Sequence, residues 1–312
     1  DVEFAQIRRQ WQDGAPVAAL VFYRALMQAG DVAPIDCLIE ALRAKGMNPL
    51  PLFGASLKET ETAAIIADFL VRADVDVILN MTSFAVSDPS RMAGAAPVDD
   101  QDIIRSVGPF GAVDAPVFQL VLASNQQADW QTSTAGLTAR DLAMNVALPE
   151  LDGRILTRAI GFKQPLTKDP VTHAMTTSYV AADDRAAFVA DLVRRWCRLR
   201  YLPNAVKKIG FVLANYPNKD GRIANGVGLD TPQSVLDSLV SLQAAGYDFL
   251  DLPGSSADFI AELRKGPTNA GWHGRSCHVH LAKDIYLQFF KTLPAAMQAA
   301  ISDRWGGIDD DP

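Results

Sequence analysis

Short apolar runs at 17–23, 48–53, 75–80 and 116–123 alternate with longer stretches in which apolar residues recur every three or four positions. The runs suit strands covered on both faces, and the periodic stretches suit amphipathic helices. In 33–45, Ile35, Leu38, Ile39 and Leu42 share one helical face and Gly46 can end the helix. A second helix is expected over 59–72. Strand, helix, strand, helix, strand is a βαβαβ unit, and right-handed crossovers turn it into a parallel sheet. Beyond it the pattern predicts a short helix at 101–107, an irregular crossing at 130–136, a helix at 138–147 and an extended run at 155–162. A long helix follows at 183–201, with Phe188, Leu192, Trp196 and Leu199 as its inner stripe.

The second half repeats the theme more weakly. An apolar run at 209–214 leads into a polar, glycine-bearing loop, and Thr231 with Pro232 reads as a capped helix start. That helix ends at Gly246, before another apolar run at 247–252. Both halves therefore place Pro at a helix start and Gly at its end. This fits a duplication, and equally what any two βαβ units share. The predicted fold class is α/β, with two Rossmann-like parallel βαβ units and additional helices. The proline-bounded segment 165–170 reads as a linker between an N-terminal α/β domain, 1–165, and a second α/β domain, 166–312, that ends in helices broken at Pro294.

Composition narrows the function classes. The 312 residues are 49% hydrophobic and 21% charged, which is ordinary for a globular protein. A formal net charge of −7 argues against a nucleic-acid surface, and no apolar run is long enough for membrane insertion. Three widely spaced cysteines form no disulfide framework. Cys37 and Cys197 fall in helical patterns as buried thiols, so a reducing cytoplasmic setting is expected.

Four stretches carry candidate chemistry. The loop 215–230 holds Asn215, Tyr216, Asp220, Arg222, Asn225, Gly226, Gly228 and Asp230 ahead of a helix N-terminus, a place suited to an anion. It is neither a Walker loop nor a dinucleotide fingerprint, and a plain surface loop has the same appearance. Leu148-Pro-Glu-Leu-Asp-Gly153 sets Glu150 and Asp152 two residues apart. If the loop is extended, both point to one side and can hold a cation or move protons; a simple Asp-Gly turn is the alternative. Tyr23, Arg24 and Thr82 follow parallel strands, at the ends where such sheets bind ligands. Arg24 can meet a ligand carboxylate or pair with a nearby acidic helix. His273, Cys277, His278 and His280 gather borderline metal ligands within eight residues, in a spacing that matches no structural zinc pattern.

Read together, these residues resemble the family that joins the large subunit of ATP-dependent cobaltochelatase, CobN, with the large, tetrapyrrole-binding component of magnesium chelatase. The resemblance runs in order through Phe22-Tyr-Arg24, Asn80-Met-Thr-Ser-Phe84, Pro116-Val-Phe-Gln119, Trp130, Leu148-Pro-Glu-Leu-Asp-Gly153 and Trp196. It is densest in Asn215-Tyr-Pro217 and Gly221-Arg-Ile-Ala-Asn-Gly-Val-Gly-Leu-Asp-Thr-Pro232, and it closes at Arg304-Trp-Gly306.

The resemblance implies insertion of a divalent metal into a tetrapyrrole, Co2+ into hydrogenobyrinic acid a,c-diamide for the cobalt branch. ATP and Mg2+ would be handled by separate AAA+ motor subunits, in keeping with the missing Walker motif. Glu150, assisted by Asp152, would ligate the metal and accept the pyrrolic protons. Arg222, Arg24 and the backbone around Asn225, Gly226 and Gly228 would meet the macrocycle's carboxylates, with Tyr216 or Trp130 stacked on its face. The glycine-rich loop would form one wall of a cleft and Glu150 the other. Family members extend beyond both ends of this chain, so a central fragment is expected. A porphyrin-binding magnesium chelatase component and a non-catalytic ligand-binding module are the other readings.

Overall fold

The structure, a computed structural model, describes residues 2–87, 108–216, 219–249, 251–268, 271, 275–277 and 280–308. The helix expected at 101–107 lies outside these residues. The chain divides into two compact units, Asp1–Tyr201 and Leu202–Pro312.

The first unit contains, in order, α1 (Val2–Arg8), β1 (Val17–Tyr23), α2 (Arg24–Gln28), α3 (Ala33–Ala44), β2 (Asn48–Gly54), α4 (Thr60–Arg72), β3 (Val77–Asn80) and β4 (Val117–Ala123). Then come α5 (Gln127–Thr132), α6 (Ala139–Leu142), a π-helical turn (Ala143–Ala147), α7 (Leu148–Glu150), β5 (Ile155–Lys163), a small hairpin of β6 (Thr167–Lys168) and β7 (Met175–Thr176), β8 (Tyr179–Ala181) and α8 (Asp183–Tyr201). The main sheet has the order β2-β1-β3-β4-β5-β8. Its first five strands run parallel and β8 closes the edge antiparallel to β5. The chain leaves β1 in one direction to reach β2 and in the other to reach β3, so the switch point lies between β1 and β3. Ligands of open α/β sheets bind at such a point, beyond the carboxyl ends of the strands.

Alternation along the strands builds two cores. Ala18, Leu20 and Phe22 of β1 face α3 and α8, together with Val77, Leu79, Phe118, Leu120 and Ile160. Val17, Ala19 and Val21 face the opposite layer, where Phe4, Ile66, Leu70 and Phe110 pack. A sheet buried on both sides explains why its strands read as unbroken apolar runs. A smaller cluster of Val121, Ala123, Ala159, Phe162 and Ala182 supports the far strands.

Three expectations change. The buried stripe of α8 is Ala186, Val189, Ala190, Val193 and Cys197, whereas Phe188, Trp196 and Leu199 are exposed. Small residues let this helix lie close to the sheet. The aromatics take its flanks, where Trp196 meets Phe118 edge-on at 5.5 Å and Arg158 lies 4.2 Å from the Phe188 ring. Next, the first unit extends past the boundary expected near 165, because β8 and α8 complete its sheet and core. The hairpin β6–β7 occupies the segment read as a linker.

The third change concerns the second unit. It contains α9 (Thr231–Ala244), α10 (Ser256–Leu263), α11 (Lys283–Thr292) and α12 (Ala295–Trp305). The runs 209–214 and 247–252 form no strand among the described residues, and Ile209, Phe211 and Val212 are exposed. A second parallel βαβ unit is therefore absent from the described residues. Apolar sequence favours a strand only when a neighbouring strand takes up its backbone N–H and C=O groups.

Candidate functional site

A cleft of about 560 Å³ opens at the switch point of the first unit. Tyr23 and Arg24 reach it from the end of β1, and Met81, Ser83 and Phe84 from the segment after β3. Ser124 follows β4, Lys163 ends β5, and Arg140, Asp141, Met144 and Asn145 come from α6 and the π-helical turn. Tyr179 of β8 and the apolar Leu26 and Leu122 also line the wall.

Hydrogen bonds fix the floor. Tyr23 Oη donates to the Ser83 carbonyl at 3.3 Å and accepts from the Ser83 N–H at 3.1 Å. Ser83 Oγ donates to Asn145 Oδ1 at 2.6 Å, and Asn145 Nδ2 donates to Asp141 at 3.4 Å. The other Asp141 oxygen accepts from the Ser124 N–H and hydroxyl, at 3.0 and 2.8 Å. Phe84 takes φ 69°, and its N–H donates to the Met144 carbonyl at 2.9 Å. A non-glycine residue in that region costs about 1–3 kcal/mol, which the packed surroundings must offset. The π-helical turn aims Met144 and Asn145 into the cleft, a frequent use of such turns.

Behind the floor lies a buried polar network. Asn80 Nδ2 donates to Gln119 Oε1 at 2.8 Å and to the Thr82 carbonyl at 3.0 Å, so two of the sequence motifs meet across β3 and β4. Thr82 Oγ1 donates to Asn80 Oδ1 at 2.9 Å. Arg154 donates to Gln119 at 3.2 Å and to Asp152 at 2.6 Å, with the two charged side chains 1% and 5% exposed. Burial lowers the Arg154 pKa, and the Asp152 carboxylate opposes that shift. Asp152 also accepts from the N–H groups of Val86 and Ser87, at 2.8 and 3.0 Å, which ties down the segment after β3.

The expected extended loop around Glu150 is a helical end. Leu148–Glu150 continues the helix begun at α6, and Leu151 to Gly153 turn back on it through N–H bonds to the carbonyls of Leu148, Pro149 and Glu150. Glu150 and Asp152 consequently do not share a side as strand neighbours would. Glu150 is exposed, without an ion pair among the described residues, while Asp152 is committed inward. Tyr23 and Arg24 line the cleft. Thr82 is buried and borders a smaller cavity of about 250 Å³ beside Tyr23, Ser56 and Lys58. Trp130 packs against Phe162, and Arg185 covers its ring at 4.0 Å, so one face is already in use.

In the second unit the glycine-rich loop folds on itself. Asn215 bridges Ile223, Gly226 bridges Leu229, and a short helical turn spans Asp220–Arg222. Gly228 has φ +75°, a backbone region that favours glycine, and a Cβ on Gly226 would lie 2.6 Å from Thr231 Oγ1, so that hydroxyl would have to move. Asp220 pairs with Arg275 at 2.7 Å; hydrogen bonds from Thr268 and then Arg275 lower its pKa. The cap of α9 is Asp230, which accepts from the Gln233 N–H at 3.1 Å, with Thr231 already inside the helix. An in-chain carboxylate thereby takes the place that an external anion was expected to fill. Tyr216, Arg222 and Gly228 are exposed and Asn225 is half-buried. His273 and His278 lie outside the described residues, and no cluster of three metal-binding side chains occurs among the described ones.

Sequence reasoning missed Ser124, Arg140, Asp141, Asn145, Lys163 and Tyr179 as cleft residues. The rule that singled out Arg24, a polar residue just past a parallel strand, would have found Ser124 and Lys163 as well.

Comparison with known proteins agrees over the whole length. The family CobN/Magnesium Chelatase matches residues 2–311. The aerobic cobaltochelatase subunit CobN of Pseudomonas aeruginosa is 44% identical over 307 residues, 98% of this chain and 24% of that protein. The CobN of Sinorhizobium sp is 39% identical over 297 residues, 95% of this chain and 22% of that protein. The magnesium-chelatase protein ChlH of Oryza sativa is 27% identical over 253 residues, 80% of this chain and 17% of that protein. Among solved structures, the catalytic subunit of cobaltochelatase from Mycobacterium tuberculosis superposes with a TM-score of 0.72 at 30% identity, covering 94% of this chain and 23% of that one. The chain thus spans about a quarter of the length of the cobaltochelatase relatives it matches. The chain therefore belongs to the CobN/magnesium chelatase family.

Proposed function

We propose that this chain forms part of the large subunit of a cobaltochelatase, in which its cleft holds a tetrapyrrole during metal insertion. The cleft at the switch point carries the reading: it is walled by apolar side chains and fringed by Arg24, Arg140 and Lys163. An apolar macrocycle edged with carboxylates needs that combination. The identity to the cobalt enzyme, 44% against 27% for the magnesium one, supports Co2+ as the metal substrate and hydrogenobyrinic acid a,c-diamide as the acceptor. ATP hydrolysis belongs, in this reading, to AAA+ motor partners, and the complex works in the cytoplasm.

Metallation removes two pyrrolic N–H protons and strips water from the cation, so it needs a carboxylate free to accept protons and ligate metal. Glu150 meets that need, being exposed and without an ion pair among the described residues. Asp152 supports it differently, through Arg154 and the loop at Val86 and Ser87. In the second unit, Arg222 and Tyr216 remain candidates for macrocycle contact, together with Asn215, Asn225, Gly226, Gly228 and Asp230.

The test is Glu150→Gln in the complete enzyme. Macrocycle binding should stay near normal while metallation is lost, and retained turnover would overturn the assignment. Asp152→Asn should instead lower thermal stability by about 3 kcal/mol, since it leaves Arg154 buried without its countercharge.

A further inference from the structure

We propose that Arg140 and Lys163 act with Arg24 as a clamp for the carboxylates of the bound tetrapyrrole. The inference deepens the tetrapyrrole reading above and rests on it. Three cations reach one cleft from separate parts of the chain: Arg24 after β1, Arg140 in α6 and Lys163 at the end of β5. None has a carboxylate partner among the described residues; Lys163 lies 5.4 Å from the Tyr179 ring. The acidic side chain in the lining, Asp141, is 4% exposed and its two oxygens already accept from Ser124 and Asn145. Three cations against this one carboxylate leave the lining of the cleft net positive, in a chain whose net charge is −7.

Unpaired cations on an open surface would simply be solvated. Here they border Leu26, Met81, Phe84, Leu122 and Met144. Apolar walls lower the local dielectric and strengthen attraction to an anion. A small inorganic anion would have no use for such walls. A rigid apolar ring bearing several carboxylates uses both, with the guanidinium groups able to bind bidentately and the Lys163 ammonium as a point charge.

Binding of coproporphyrin, its tetramethyl ester and citrate to the full chain tests the proposal, with Arg140→Gln, Lys163→Gln, the double variant and Lys163→Arg. Circular dichroism melting confirms that each variant folds. Coproporphyrin should bind more tightly than the ester. Each Gln variant should weaken coproporphyrin by roughly tenfold, and the double variant by about a hundredfold, as loss of charge-assisted hydrogen bonds predicts. The ester should be indifferent, and Lys163→Arg should retain most of the affinity.

Coproporphyrin binding that is equal in wild type and the folded variants overturns the clamp and leaves the tetrapyrrole reading standing. If neither porphyrin binds but citrate does, with the same dependence on Arg140 and Lys163, the clamp holds for polycarboxylates and the tetrapyrrole reading falls. If the wild type binds none of the three, the clamp is overturned.

Discussion

Cys197 lies under α8 against the sheet, where burial pushes its thiol up to about 11. Cys37 is raised to about 11 as well, first by burial and then by donating to Asp183 at 3.3 Å. Both folded values exceed the ordinary 9.0, so the neutral thiol is the favoured form. That stabilisation is complete below the ordinary value and is lost as pH rises through about 11. Cys277 is exposed. Alkylation of the native protein at about pH 8 should accordingly label Cys277 first, the half-buried Cys37 more slowly, and Cys197 only after denaturant is added, since thiolate and access govern the rate. Peptide mass spectrometry reads the order, and early labelling of Cys197 would contradict its environment. The helical pattern made the burial of Cys197 legible in the sequence, whereas Cys37, expected to be buried as well, is only half-buried. The fate of Asp152 was not, because its partners include Val86 and Ser87, which only the return of the chain brings beside it.

At the scale of elements, contact between β5 and α3 depends on Gly161. A Cβ there would lie 2.7 Å from Pro34 Cγ and 3.0 Å from Leu122 Cδ2. Pro34 is a rigid ring in the first turn of α3, so relief requires shifting the helix or the strand. Gly161→Ala should destabilise the protein by about 1–3 kcal/mol, the usual range for overpacking. A denaturant midpoint unchanged from wild type would show that α3 moves freely. The positions of most helices and strands followed from periodicity alone. The orientation of α8 did not, because its stripe of small residues is a weaker signal than its aromatics. Choosing between them needed the sheet, which accepts Ala186 and Ala190 at close range and leaves Phe188 outside.

For the molecule as a whole, the six-stranded sheet and its three apolar clusters all belong to the first unit. Residues 1–201 expressed alone should therefore unfold in one cooperative transition. Residues 202–312 alone should not, given that Ile209, Phe211 and Val212 are exposed and few apolar side chains are buried among the described residues of that unit. Circular dichroism melting of the two pieces decides it, and a broad, non-cooperative transition in the first would count against an independent core.

The sequence by itself determined the α/β class, the strands β1 to β5 with the helices α3, α4 and α8, and the strand ends where Tyr23 and Arg24 stand. These depend on local periodicity and on the general handedness of parallel crossovers. Its motifs also carried the family resemblance. Tertiary structure alone decided which charges meet. Arg24, Arg140 and Lys163 line one cleft because the parallel strands β1 and β5 end on the same side of the sheet and α6 packs there, while Asp152 turns inward to Arg154 and leaves Glu150 in solvent. It also decided that 209–214 forms no strand among the described residues. Strand formation and charge pairing both need a partner brought close in space, and no local pattern specifies where that partner will be.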